Sequence, residues 1–135
     1  GMESLACVGN SWMSTCSALV DPTFEGLHSL TSIGDGWMDR CTSLINPNFR
    51  ALGTLAHVGR LWMYSCDCLS SPSFAGLASL LSIDDGWMKS CALLTNPSLI
   101  GLSSLRSIGD GWMESCYSLV DPRFEGMMNL VSVRS

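Results

Sequence analysis

The chain has 135 residues, 47% apolar and only 14% charged, with a net charge of −5. That length supports a single core, and the apolar fraction is that of a folded chain rather than a disordered one. Its seven basic residues are scattered along an acidic chain, which argues against nucleic acid or anionic membrane as the main partner. No apolar run approaches the roughly 20 residues of a membrane span, and no basic stretch followed by an apolar segment opens the chain.

The first predicted element is the segment opened by Leu5, with Val8 three residues on. The same pattern returns from Leu30, Leu55, Leu80 and Leu105. An inward-facing Val or Ile makes this "LxSIG" segment the better strand candidate on local grounds. The next element is "GDGWMDRCTSL". Asp35 is placed to cap a helix, and Trp37, Cys41 and Leu44 follow at i, i+4 and i+7, so the spacing predicts a short helix. Asp85 and Asp110 repeat the signal. Farther on, Asp21, Asn46, Ser71, Asn96 and Asp121 each precede one of the five prolines. That pairing suits a helix start or a turn. L-x-x-P-x-F also has strand-like spacing, although proline cannot donate to a ladder. Phe follows two residues after each proline, replaced once by Leu99, and three of the units then close on Gly-Leu.

These elements are one unit repeated. Trp12, Trp37, Trp62, Trp87 and Trp112 stand 25 residues apart, each followed at once by Met. Cys16, Cys41, Cys66, Cys91 and Cys116 fall four residues after each Trp, and Leu three beyond each Cys. The units run 5–29, 30–54, 55–79, 80–104 and 105–129, with a partial unit at 130–135. Constant columns are almost all apolar, Gly or Pro, and variable columns are polar. A single 25-residue unit buries too little to stand alone, so neighbours must stack. The expected fold is an α/β solenoid in one repeat domain. It is a leucine-rich-repeat-like, right-handed superhelix with short parallel strands and short helical turns.

The segment "SIGDGWMDRCTSL" resembles the I-G-x-x-A-F-x-x-C-x-x-L stretch of bacterial surface-antigen leucine-rich repeats, often called BspA-like. The spacing is similar to that of a protozoan surface-protein type with G-F-L-x-x-C-x-S-L followed by L-x-x-L-x-L. The resemblance covers all five units. Two columns depart from it: Trp-Met stands where Phe-Leu or Ala-Phe is usual, and Pro takes the place of the first Leu of L-x-L. The resemblance implies a parallel strand at the proline segment and a recognition or adhesion surface without catalysis. It also implies a location at the cell surface or outside the cell.

The chemistry-bearing residues read mostly as structure. A Trp-Met pair in every unit, in register with Cys and Leu, is core filling rather than an exposed stacking ladder. The cysteines lack the paired spacing of a metal site and are expected as buried, reduced thiols, which fits a reducing compartment. Arg60 interrupts the column of Asp35, Asp85 and Asp110, so a calcium ladder is not expected. His28 and His57 occupy different columns, and no nucleophile–base spacing is present. No catalytic residue, metal or cofactor is therefore expected.

If the proline segment lines the recognition face, its outward residues form three polar ladders. They are Asp21, Asn46, Ser71, Asn96 and Asp121; Thr23, Asn48, Ser73, Ser98 and Arg123; and Glu25, Arg50 and Glu125, with Ala75 and Ile100 in the same column. The expected function is a non-catalytic module for protein–protein interaction or adhesion. A designed or purely structural scaffold without a natural ligand is the alternative. Neither end shows a polar capping unit, so the sequence reads as a window of a longer array or a unit that associates end to end.

Overall fold

The computed structural model describes residues 1–120, 122 and 124–134. Six two-residue strands recur through it: β1 (Cys7–Val8), β2 (Ser32–Ile33), β3 (His57–Val58), β4 (Ser82–Ile83), β5 (Ser107–Ile108) and β6 (Ser132–Val133). They form one parallel sheet in chain order. Each residue sits opposite its equivalent one unit later, as Cys7 does to Ser32 and Ile33 to Val58. Parallel neighbours need a long crossover, and here the rest of the repeat supplies it. The β-branched residue of each inner strand points into the core, so Ile33, Val58, Ile83 and Ile108 are buried. The strand thus sits where local β-propensity places it, not at the proline segment.

The proline segment, where the family resemblance puts the strand, carries only isolated parallel bridges, Thr23 to Asn48 and Ser73 to Ser98. The cause is chemical. The Pro22 carbonyl still accepts from the Asn48 amide at 2.9 Å, but a proline nitrogen has no hydrogen to give back. Half of each ladder rung is missing, and a continuous strand does not form.

The expected short helix is absent among the described residues, and this part of the fold-class expectation is corrected. Gly36, Met38 and Arg40 all have positive φ, at 72°, 54° and 52°. Left-handed residues at every second position prevent the uniform dihedrals that a helix requires. The segment is a flattened turn whose peptide planes lie along the stacking direction. The Ser11 amide donates to the Asp35 carbonyl, and the Gly36 amide of that same peptide unit donates to Arg60. Leu61 then donates to Asp85, and Gly86 to Asp110.

A second such chain runs from Thr15 through Asp39, Tyr64 and Lys89 to Glu114. A third runs the opposite way, through Met38 to Trp12, Met63 to Trp37, Met88 to Trp62 and Met113 to Trp87, at 3.0–3.1 Å. Chains of aligned amides polarise one another. The Trp-Met segment is therefore held by three bond chains between units, with a turn bond inside each unit, such as the Asp39 amide to the Gly36 carbonyl at 3.2 Å. Asp35 does not cap a helix either: its Oδ1 accepts from the Arg60 amide one unit later, at 2.8 Å.

Between the sheet and the flattened turns lies one continuous core. Trp37, Trp62 and Trp87 are fully buried, and so are Met38, Met63 and Met88. The indoles stack at centroid distances of 5.1–5.7 Å from Trp12 to Trp112. Phe24, Phe49 and Phe74 form a second stack at 5.7–5.8 Å, set edge-on to the first. Both arrangements are favoured by the ring quadrupoles.

Candidate interaction surface

Because one face of every residue column is consumed by stacking, function must reside on what the columns turn outward. The tryptophans and cysteines are assigned first. Trp37, Trp62, Trp87, Cys41, Cys66 and Cys91 are buried as expected. Trp12, Trp112 and Cys116 are only half-buried, and Cys16 is exposed. The core expectation is corrected there: these side chains have a stacked neighbour on one side only. All seven cysteines are free thiols.

The buried thiols are more than small hydrophobes. Cys41 donates to the Met13 carbonyl at 2.9 Å, Cys66 to Met38 at 3.2 Å and Cys91 to Met63 at 3.1 Å. Each satisfies a carbonyl that the left-handed Met turns away from the backbone chains. Burial pushes the Cys41 thiol up to about 11 from 9.0, and Cys116 likewise up to about 11. At Cys66 the neighbouring Cys91 thiol, and then burial, push in the same direction. Reactive thiols need the opposite environment, one that favours thiolate. The indole N–H groups of Trp37, Trp62, Trp87 and Trp112 are buried without a nitrogen or oxygen partner.

The polar ladders of the proline segment lie on the surface. Asp21, Thr23, Glu25, Asn46, Asn48, Arg50, Ser71, Ser73, Asn96 and Glu125 are exposed and Ser98 is half-buried, whereas Asp121 and Arg123 lie outside the described residues. Several of these side chains serve the backbone beside them. Asp21 Oδ1 accepts from the Asn46 amide at 3.2 Å, and Asn48 Oδ1 from the Arg50 amide at 3.1 Å. A shallow groove of about 260 Å³ crosses this strip between Asn46, Asn48, Arg50 and Ser73.

Sequence reasoning attached recognition to this strip and overlooked the sheet face. There Ser32, His57 and Ser82 stand side by side on paired strands, and His57 Nδ1 lies 2.7 Å from Ser82 Oγ. With Asp35 and Asp84 they line a groove of about 470 Å³. Its floor is low because glycine follows the strand in most units. A Cβ on Gly59 would come within 2.7 Å of the Asp35 nitrogen, closer than real contacts allow. The signal available in the sequence was the "LxSIG" strand itself, whose Ser or His column must face away from the buried Ile or Val.

Next to this groove lies a second, of about 210 Å³, lined by Leu61, Asp85, Lys89, Asp110 and Glu114. Ion pairs cross it, Lys89 to Glu114 at 2.8 Å and Arg60 to Asp85 at 3.6 Å. Among the described residues, no three His, Cys, Asp or Glu side chains gather as metal ligands would, and no helix is long and apolar enough to cross a membrane.

A single parallel sheet built from one short strand per 25-residue turn defines the class, a parallel-strand repeat solenoid. Two solved structures similar to the chain are leucine-rich repeat proteins. One, from Bacteroides ovatus, is 22% identical with a TM-score of 0.46, over 98% of this chain and 46% of that one. The other, the T. pallidum leucine-rich repeat protein, is 19% identical with a TM-score of 0.47, over 86% of this chain and 72% of that one. The chain thus spans less than half the length of the Bacteroides ovatus protein. No family model and no curated protein matches it.

Proposed function

We propose that this chain is a single non-catalytic repeat domain that binds another protein through its outward columns. The observation that carries the reading is the division of variability. Inward columns are Leu, Trp, Met, Cys and Phe in nearly every unit, whereas the exposed columns change from unit to unit. A purely structural scaffold has no need of that variation. The sheet face and the proline strip, with Asp21, Asn48 and Arg50 among its residues, are the two surfaces offered. Leucine-rich-repeat folds present wide, rigid surfaces of this kind, which suit proteins better than small ligands.

Selection of a displayed random-peptide library against the immobilised protein tests the proposal. Ligands whose amide shift changes map to either surface support it; a library exhausted without ligands refutes it.

The same reading extends to self-association. Phe124 is 55% exposed beside the half-buried Trp112, with ring centroids at 5.6 Å, whereas Phe24, Phe49 and Phe74 in the same column are buried. These groups resemble the stacking face that each inner unit buries, so we propose that copies also associate end to end. Sedimentation showing a monomer at every concentration counts against that extension alone.

A further inference from the structure

We infer that the third unit carries the partner-contacting centre, and that its partner is a protein segment presenting apolar side chains flanked by lysine or arginine. This rests on the protein-binding reading above and assigns it a place and a chemistry.

The third unit departs from the others at four outward columns in succession. His57 stands where three other inner strands have Ser32, Ser82 and Ser107; Arg60 where the rest have Asn10 or Asp; Leu61 where the rest have Ser11 or Gly; and Tyr64 where the rest have Ser14 or a charge. All four lie on the stretch that runs off the sheet face into the flattened turn, and His57 and Leu61 line the two neighbouring grooves. None of the four is required by the stack. Gly36, Gly86 and Gly111 fill the Leu61 column at φ of 69–78°, and Leu61 holds φ 58° there. L side chains rarely adopt that region, and leucine has no polar atom with which to stabilise it locally. Leu61 is 39% exposed, with its side chain lying over Gly86. Ser11 takes the same left-handed turn at φ 62° in this column, so what sets Leu61 apart is an exposed apolar side chain where the other units have Ser or Gly. Tyr64 lies nearby, with the Arg40 guanidinium 5.5 Å from its ring centroid. Tyr and Arg are among the side chains enriched at the energetic centres of protein interfaces.

Charge selects the partner. The two grooves are lined by Asp35, Asp84, Asp85, Asp110 and Glu114. The cations beside them, Arg60 and Lys89, are already paired, with Asp85 and Glu114. Unmatched carboxylates around an apolar centre steer basic segments in and repel acidic ones.

The test uses an acetylated, amidated peptide of four Lys-Leu pairs and its Glu-Leu counterpart, titrated into the full chain and into Leu61→Gly/Tyr64→Ser. That double variant restores residue types found in these columns in other units and changes no charge. We expect the Lys-Leu peptide to bind, with amide shift changes centred on residues 57–64. Its affinity should fall at least tenfold in the double variant, whose melting temperature is unchanged or higher. The Glu-Leu peptide should not bind. Equal affinity for both proteins, a shift map on another face, no binding of the Lys-Leu peptide, or binding of the Glu-Leu peptide overturns the assignment. The peptide-library selection then separates the two levels. Library ligands that map to the proline strip leave the protein-binding reading standing while this one falls.

Discussion

Replacing Trp62 by alanine puts the largest stress on the fold, and its cost can be built up from the contacts. The indole is fully buried. It stacks on Trp37 at 5.1 Å and Trp87 at 5.5 Å, and meets Phe49 and Phe74 edge-on at 5.5 Å. Buried Trp→Ala changes cost about 3–5 kcal/mol, and each aromatic pair lost adds roughly 0.5–1.5 kcal/mol. The four pairs together add about 2–6 kcal/mol, and removing an indole N–H that has no partner returns about 1–3 kcal/mol, so a net loss of roughly 4–8 kcal/mol is expected. Trp12→Ala is the internal control. Trp12 is half-buried with one stacked indole neighbour, and its loss should cost about 1–2 kcal/mol by scaling the same terms. Urea titration followed by circular dichroism reads both values. Equal costs for the two variants, or an unchanged midpoint for Trp62→Ala, would refute the buried-column argument.

Other consequences follow from the same contacts. Gly59→Ala should lose about 1–3 kcal/mol, because the new methyl group meets the Asp35 backbone in a junction that cannot open. Asp84→Gly, at the same column one unit on, should leave thermal stability within about 0.5 kcal/mol. Replacing the Trp62 indole by its sulfur isostere, benzothienylalanine, should stabilise the chain by about 1 kcal/mol, since a buried unpaired N–H disappears; a loss of stability contradicts the absence of a partner.

The thiols give a pH test. Cys41 titrates at about 11 when folded and at 9.0 as a free group, so above pH 9 the folded state binds more protons than the unfolded state. Stability is full below about pH 9 and falls as pH rises to about 11, by roughly 2–3 kcal/mol for this residue. Thiol labelling at pH 8 should reach the exposed Cys7, Cys16 and Cys68 and spare Cys41, Cys66 and Cys91 until the chain unfolds.

Much of the architecture was legible because the physics of stacking is written in the period. Trp, Cys and Leu at one spacing must share a column, and a Trp-Met pair in each unit belongs in the core. The strand at "LxSIG" followed from β-branched residues and from the inability of proline to donate. The flattened turn was not legible. Trp37, Cys41 and Leu44 are spaced as on a helix face, and nothing local says that Met38 and Arg40 adopt positive φ. That conformation is stabilised by amides one unit away, so it exists only in the stack. The candidate surface was half-read for a related reason. Assigning recognition to the proline strip required a strand there, and the outward column of the true strand, Ser32 through Ser107, then went unused. The departures at Arg60, Leu61 and Tyr64 were visible in the sequence, but only the stacked structure puts Leu61 in a groove with Asp85, Asp110 and Glu114.

The central claim is that the Met amides of the Trp-Met segments donate to the preceding unit and not along a helix of their own. Scalar couplings through hydrogen bonds, measured from amide nitrogen to carbonyl carbon, test it directly. The account predicts couplings from Met38 to Trp12, Met63 to Trp37, Met88 to Trp62 and Met113 to Trp87, matching hydrogen bonds of 3.0–3.1 Å. Couplings from these amides to the carbonyl four residues earlier, as in a helix, would contradict it.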